Sequence, residues 1–199
     1  MITIATLIDD LKDQEPNAVT RVMAMMSYNP SIGRALEKDG VQKFQSMAVR
    51  KAAQLSQISS REQFEKFHDK WIKEFIRTIQ KNNQEEQSSV GQAQKAINVF
   101  LKLFVDWARR PDLDTAGRLV QYLHVPLDKI LMKKIREYFP NFFAEEIRPL
   151  RDGDYNYSLS KLYRNEYDVW QKFFRESHPE KPILFDIIWA INRRAGSIA

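Results

Sequence analysis

The spacing of apolar residues is the feature that most constrains the fold of this 199-residue chain. Apolar side chains recur at intervals of three and four residues almost throughout, and this is the period of one face of an α-helix. Only 6 Gly and 8 Pro interrupt the pattern, and neither an internal repeat nor a low-complexity stretch is present. We therefore predict an all-α protein.

Helix boundaries follow from where this period starts and stops. Ser59 and Glu62 form a capping-box pattern at the start of one helix, and the stretch 139–156 is expected to be irregular. The predicted helices cover residues 4–12, 16–28, 30–40, 41–55, 59–82, 90–108, 115–123, 126–138, 159–177 and 182–193.

Large apolar side chains indicate which of these helices are central. The helix at 90–108 is apolar almost all round, which is typical of a helix inside the core. The helix at 59–82 instead has one wide apolar stripe. We expect the following residues in the core: Trp71, Phe75, Phe100, Phe104 and Ile187.

Composition narrows the functional classes. The absence of cysteine excludes disulfides, cysteine-held iron–sulfur clusters, zinc ribbons and thiol catalysis. The net charge of +5 and pI of about 9.3 are compatible with a nucleic-acid partner, whose binding should weaken as salt rises. Neither a signal peptide nor an apolar run long enough to span a bilayer is visible, so we expect a cytoplasmic protein that does not bind membranes.

Common catalytic motifs are missing. His68, His124 and His178 lie far apart and do not have metal-ligand spacing, and there is neither a phosphate-binding glycine loop nor a G-x-S-x-G elbow. Arg118 and His124 loosely resemble the R-x-H pattern of helical HEPN-type ribonucleases, although Leu119 stands where that family usually has a polar residue. A ribonuclease therefore remains a minor alternative.

Lys95 is the more informative polar residue, because it lies on the apolar helix 90–108. Its neighbours at helical spacing are Gly91, Asn98, Lys102 and Asp106, so a narrow polar stripe follows one side of this helix. One interpretation is an ordinary solvated face. The other is a stripe that lines a cleft, where a lysine beside apolar surface loses its proton readily and serves as an amine nucleophile.

Asp128 also has two interpretations. It is expected in the first turn of a helix opened by Pro126. An aspartate there commonly interacts with the free amides and the dipole of the helix. The same amides could instead hold a catalytic carboxylate at a cleft.

Three segments together resemble the helix-hairpin-helix DNA glycosylases, most closely the archaeal 8-oxoguanine group. Residues 91–104, with Lys95, resemble the helix that carries the catalytic lysine, and 125–128 resemble the valine-proline-valine-aspartate motif. The lysine precedes the aspartate by 33 residues. Residues 182–191 resemble the closing helix, although Asp186 and Trp189 are three positions apart rather than four. A glycine-rich hairpin is absent, and 88–91 is its nearest equivalent.

The resemblance implies one helical domain over 1–199 with two lobes, about 1–60 plus 140–199 and 61–139, around a cleft. It implies a base-excision glycosylase and lyase that binds DNA and needs neither metal nor cofactor. Lys95 would be the nucleophile and Asp128 the assisting carboxylate, while Trp189 and Asp186 would contact the base. Phosphate-binding candidates are Lys81, Gly91, Lys102, Arg109 and Arg110.

Two non-enzymatic interpretations also stay open. The chain could be a catalytically inactive helical relative, or an interaction protein that binds nucleic acid or a protein partner. In either case Lys95 and Asp128 need not meet in space, so the distance between them is the observation that bears most directly on the choice.

Overall fold

The computed structural model describes residues 17–28, 30–82 and 86–195, which are mostly helical and include two isolated β-bridges but no β-strand. The all-α prediction is confirmed. The longer helices are α1 (Ala18–Ser27), α2 (Gly40–Ala52), α3 (Arg61–Thr78), α4 (Val90–Leu101), α5 (Leu113–Leu119), α6 (Lys129–Tyr138), α7 (Arg164–Ser177) and α8 (Asp186–Ala195). Shorter helical segments are Pro30–Gly33, Leu55–Gln57, Lys102–Trp107, Val120–Tyr122, Pro140–Phe142, Phe143–Ile147, Arg148–Leu150, Leu159–Lys161 and Pro182–Phe185. The helix predicted at 4–12 lies outside the described residues.

Helix α4 is buried on nearly every side, as its composition predicts. All residues from Gly91 to Asn98 are buried, and Phe100 packs edge-on against both Phe44 and Trp71. Trp71, Phe75, Phe100 and Phe104 belong to one continuous core, which confirms four of the five core predictions. This core also joins residues from both expected lobes, and the division into lobes remains a prediction.

The fifth core prediction, Ile187, is wrong. Its side chain is 57% exposed, and the neighbouring Ile188 packs against the core instead. Residues 187–191 are apolar in succession, so the sequence of α8 does not define a single buried face. The buried face of α8 is selected by how this helix packs against the rest of the protein.

The start of α3 lies one residue later than predicted. Ser60 is the N-cap and accepts a hydrogen bond from the Gln63 amide, while the Gln63 side chain accepts one from the Ser59 backbone N–H. Glu62 forms an ion pair with Lys66 instead of completing a capping box. Both serines are good caps, and the reach of Gln63 back to Ser59 selects the second.

Helix α4 is followed by a π-helical turn, Lys102–Trp107, where a continuous α-helix was expected. The Ala108 N–H donates to the Leu103 carbonyl over 2.9 Å, a bond that spans five residues. Arg109 then adopts a left-handed backbone with φ of 54°, which ends the helix. The turn carries both Lys102 and Asp106 of the polar stripe.

Two further boundaries differ from prediction. Helix α6 begins at Lys129 rather than at Pro126, because 124–127 is buried and not helical, and Asp128 caps the helix with an extended backbone. The helix predicted at 159–177 is divided into the 3₁₀ turn Leu159–Lys161 and α7. The buried Glu166 near the start of α7 accepts hydrogen bonds from Arg151, over 2.8 Å from Nε and 2.6 Å from Nη2.

Replacement of Phe100 by alanine should destabilise the protein by about 3–5 kcal/mol, because it empties a fully buried aromatic site. Ile187→Ala, on the exposed side of α8, should change the free energy of unfolding by less than about 0.5 kcal/mol. Urea unfolding followed by circular dichroism measures both values. Equal losses would mean that the face of α8 is assigned incorrectly.

Candidate functional site

Lys95 and Asp128 are in direct contact. The Lys95 Nζ donates to Asp128 Oδ2 over 2.9 Å and also approaches the Pro126 carbonyl at 3.4 Å. The prediction that the two residues meet is confirmed, but they form a nearly closed ion pair and do not face each other across open space. Lys95 is only 5% exposed.

The two oxygens of Asp128 have different partners. Oδ1 accepts the Leu131 backbone N–H over 2.9 Å, which makes Asp128 the N-cap of α6, and Oδ2 accepts Lys95. Asp128 therefore lies just before the first helical turn. The sequence had predicted a position inside that turn. The helix start fixes the orientation of the carboxylate toward α4.

The segment from His124 to Asp128 pairs with no strand in the part of the chain that the structure describes, and side-chain amides take the place of one. Gln171 accepts the Val125 N–H and donates to the Val125 carbonyl, both over 2.9 Å. Gln94 does the same for Leu127, at 3.1 and 3.0 Å. Buried backbone groups need such partners, and here α4 and α7 supply them.

A second set of buried polar side chains lies behind this segment. Asn98 donates to Val125 O and to the Tyr167 hydroxyl, and its Oδ1 lies 2.6 Å from His68 Nε2. His124 Nδ1 lies 2.7 Å from the same hydroxyl, and its Nε2 lies 3.1 Å from Glu65 Oε1. The Tyr167 hydroxyl thus connects Asn98 with His124, and Glu65 ends this chain of contacts.

Burial and charge shift the titration of this set. Burial, together with the charge of His124, lowers the pKa of His68 well below 6.5. Burial alone would raise the pKa of Glu65, but the hydrogen bond and charge of His124 outweigh it and lower that pKa to about 2. Burial raises the pKa of Tyr167 far above 10.0.

The polar stripe continues beyond Lys95 as two further ion pairs. Lys102 pairs with Asp186 at the start of α8, and Asp106 pairs with Lys181 over 2.6 Å. Lys102 Nζ also lies 5.0 Å from the ring centroid of the exposed Trp107. Asp186 is 6% exposed, and its Oδ1 has no hydrogen-bond partner within the described part of the chain.

The predicted phosphate-binding residues have different surroundings. Lys102 and Lys81 are already paired with carboxylates, Asp186 and Glu86 respectively. Gly91 is buried, and a Cβ atom added there would lie 2.0 Å from the Leu159 carbonyl oxygen. Its small size permits this close packing, and a phosphate contact at Gly91 stays a prediction.

The remaining predicted residues lie elsewhere. Arg109 and Arg110 are exposed after the π turn, as a phosphate contact requires. The side chain of Trp189 lies outside what the structure describes. Arg118 donates to the carbonyls of Ile58 and Ser56, so its guanidinium is occupied in holding a loop, which does not favour the ribonuclease interpretation.

Sequence reasoning missed Gln94 and Gln171, which hold the backbone beside Asp128. Gln94 adjoins Lys95 inside an apolar helix, and Gln171 lies among Trp170, Phe173 and Phe174. A glutamine surrounded by core residues is the signal that could have identified them, because a buried amide requires partners. Its partners are backbone groups, however, and these carry no mark in the sequence.

The chain matches no family model, no curated protein and no solved structure. Within the described ranges, no helix has the length and apolarity to cross a bilayer. Over the same residues, no group of three or more metal-binding side chains is found. The class of this site therefore rests on its own geometry.

Gln171→Leu should lower the free energy of unfolding by about 2–4 kcal/mol, because each buried backbone group left without a partner costs about 1–3 kcal/mol. Gln42→Leu on the exposed side of α2 makes the same chemical change where the amide bonds to no other described residue, and should have little effect. Chemical denaturation compares them. Similar stabilities would show that the amide does not hold Val125.

Stability should fall as pH decreases through two intervals. Below pH 6.5 the unfolded chain protonates His68 while the folded chain does not, and between pH 4.5 and about 2 the same holds for Glu65. The folded state thus binds fewer protons, and its stability rises with pH in both intervals. Denaturant unfolding across pH measures the two slopes.

The variants separate these contributions. His68→Gln should reduce the dependence of unfolding free energy on pH just below pH 6.5 and leave it unchanged between pH 4.5 and about 2. Glu65→Gln should reduce it in the acidic interval and leave it unchanged just below pH 6.5. An unaltered slope in His68→Gln would mean that this histidine titrates normally in the folded protein.

Proposed function

We propose that this chain is a DNA glycosylase with lyase activity, acting on a damaged base such as 8-oxoguanine. The observation that carries the proposal is the 2.9 Å contact between Lys95 Nζ and Asp128 Oδ2. A primary amine and a carboxylate are the two groups this chemistry needs, and they meet from elements 33 residues apart. Their order and local motifs also agree with the glycosylase resemblance.

The pair provides a direct route to a neutral amine. Asp128 Oδ2 is within hydrogen-bond reach of the Lys95 ammonium and can accept its proton. The amine then attacks C1′ of the nucleotide, a C–N bond forms, and the glycosidic bond breaks with its electron pair leaving on the base, which takes up a proton. Loss of a further proton from Nζ, with opening of the sugar ring, leaves a Schiff base.

The surroundings of Lys95 add support. Lys102 lies seven positions beyond Lys95, at the start of the π turn that follows α4, or about 10 Å along a helix axis. A base must leave the duplex stack before its C1′ can reach a side chain. Asp186 Oδ1 is a buried acceptor that finds no hydrogen-bond donor among the described residues, so it is suited to an N–H of a displaced base beside Lys102.

A second candidate function follows from the burial of Lys95. At 5% exposure, and with both Asp128 and the Pro126 carbonyl as partners, the lysine has the surroundings of a structural ion pair. The chain would then be a helical relative without catalytic activity that binds nucleic acid or a protein. In that case removal of Lys95 would affect stability alone.

Borohydride trapping distinguishes the two candidates. Wild-type protein incubated with an 8-oxoguanine duplex and borohydride should yield a covalent adduct, because reduction fixes the lysine imine. Lys95→Ala should abolish the adduct. Asp128→Asn should slow its formation by about 10²-fold or more, since the amide keeps the shape but cannot accept the proton. Denaturing gels measure the adduct.

The controls address folding and specificity. Lys66→Ala removes an exposed lysine in an i,i+4 pair with Glu62 and should trap normally. Circular dichroism should show Lys95→Ala folded. If neither adduct nor free base forms with oxidised, abasic or other damaged duplexes, the glycosylase proposal is wrong and the inactive relative is favoured.

A further inference from the structure

The exposed side of α6 carries three cations that lack acidic partners in the described part of the chain. Lys129, Lys133 and Arg136 form this set, which we call the basic face. At 100° per residue they fall within an arc of about 60° and extend over about 10 Å of helix. Many other cations are neutralised by a carboxylate: Lys43, Arg50, Lys51, Lys66, Lys73, Lys134, Arg164, Lys172, Arg175 and Lys181.

The acidic residues of the same segment do not compensate the basic face. Asp128 is paired with Lys95, and Glu137 is paired with Lys134 over 2.5 Å. The next acids along the chain, Glu145 and Glu146, form no ion pair with the face within the described ranges. The positive charge of the face is therefore available to an external anion.

Neutral groups hold two of these cations in position. Arg136 Nη1 donates to the Tyr157 hydroxyl over 3.0 Å, and its guanidinium lies 5.0 Å from the Phe143 ring centroid. Lys133 Nζ lies 5.8 Å from the Tyr157 ring centroid. Tyr157 thus contacts both Arg136 and Lys133 without neutralising either charge. Two neighbouring positive charges of this kind attract a polyanion.

The position of the face points to its ligand. Lys129 directly follows Asp128, so the positive charge begins beside the Lys95–Asp128 pair. The α6 N-terminus itself is closed to an anion, because the Asp128 carboxylate already accepts the Leu131 amide. A phosphate approaching this end of α6 would be bound by side chains.

We propose that the basic face of α6 binds the phosphate backbone of duplex DNA, with Lys129, Lys133 and Arg136 as the contacts. Phosphates recur about every 3.4 Å along each strand, so a face about 10 Å long can meet several. The choice of DNA among polyanions rests on the proposed function, whereas the anion-binding face does not. Lys81 and Lys102 are paired with carboxylates and Gly91 is buried, so the exposed cations of this face are better placed to meet phosphate.

Salt-dependent DNA binding tests the inference. Fluorescence anisotropy with a short undamaged duplex gives the slope of log affinity against log salt. The triple variant Lys129→Gln, Lys133→Gln, Arg136→Gln should lower that slope by about 2.7, since each phosphate contact contributes about 0.9. Affinity at low salt should fall by at least about tenfold.

A control triple variant separates location from net charge. Lys66→Gln, Lys73→Gln and Lys172→Gln remove the same charge from exposed i,i+4 pairs on other helices and should keep the wild-type slope. Equal losses in both triples, or an unchanged slope in the α6 triple, would overturn the inference. The inference would also be overturned if the α6 triple variant kept its binding to DNA and lost only its binding to heparin or to anionic vesicles. Circular dichroism and thermal melting confirm that each variant is folded.

The design also separates this inference from the proposed chemistry. Lys95→Ala should retain the wild-type salt slope while failing to trap DNA. If the wild-type protein never forms an adduct but the α6 triple variant shows a smaller slope of log affinity against log salt, the basic face stands and the glycosylase proposal fails. If trapping succeeds and the slope depends on other cations, the chemistry stands and the basic face fails.

Discussion

The candidate site depends on how the extended segment His124–Asp128 is held inside the protein. A buried strand normally pairs with another strand, but this one lies among helices. Gln94 and Gln171 therefore provide the hydrogen bonds that a neighbouring backbone would supply. Because these amides come from α4 and α7, the segment joins two helices, and its end delivers Asp128 to Lys95.

Ion pairs determine where the neighbouring elements lie along α4. Lys95 meets Asp128 before α6, Lys102 meets Asp186 at the start of α8, and Asp106 meets Lys181. A buried charge is costly unless it is paired, so the polar stripe requires charged partners from other elements. The same burial places amines and carboxylates in one part of the protein, among them an Asp186 oxygen without a donor in the described ranges, where water competes little with their interactions.

The start of α6 connects the proposed chemistry with the proposed binding surface. Asp128 caps this helix and contacts Lys95, and Lys129 in the next position begins the basic face. One boundary between extended chain and helix thus orients a carboxylate inward and a row of cations outward. Duplex bound along α6 would have its backbone close to Lys95, the lysine proposed to attack the sugar.

The sequence by itself determined the helical class and the central position of α4, because helical period and composition act over a few residues, and its local motifs predicted that Lys95 and Asp128 meet. It could not determine which of several adjacent apolar residues of α8 is buried, which of two serines caps α3, or that Gly91 serves packing. It also did not reveal that Gln94 and Gln171 support Val125 and Leu127, or that Lys102 already has Asp186 as its partner. These outcomes belong to the tertiary structure, because each depends on backbone and charged groups that come from distant parts of the chain.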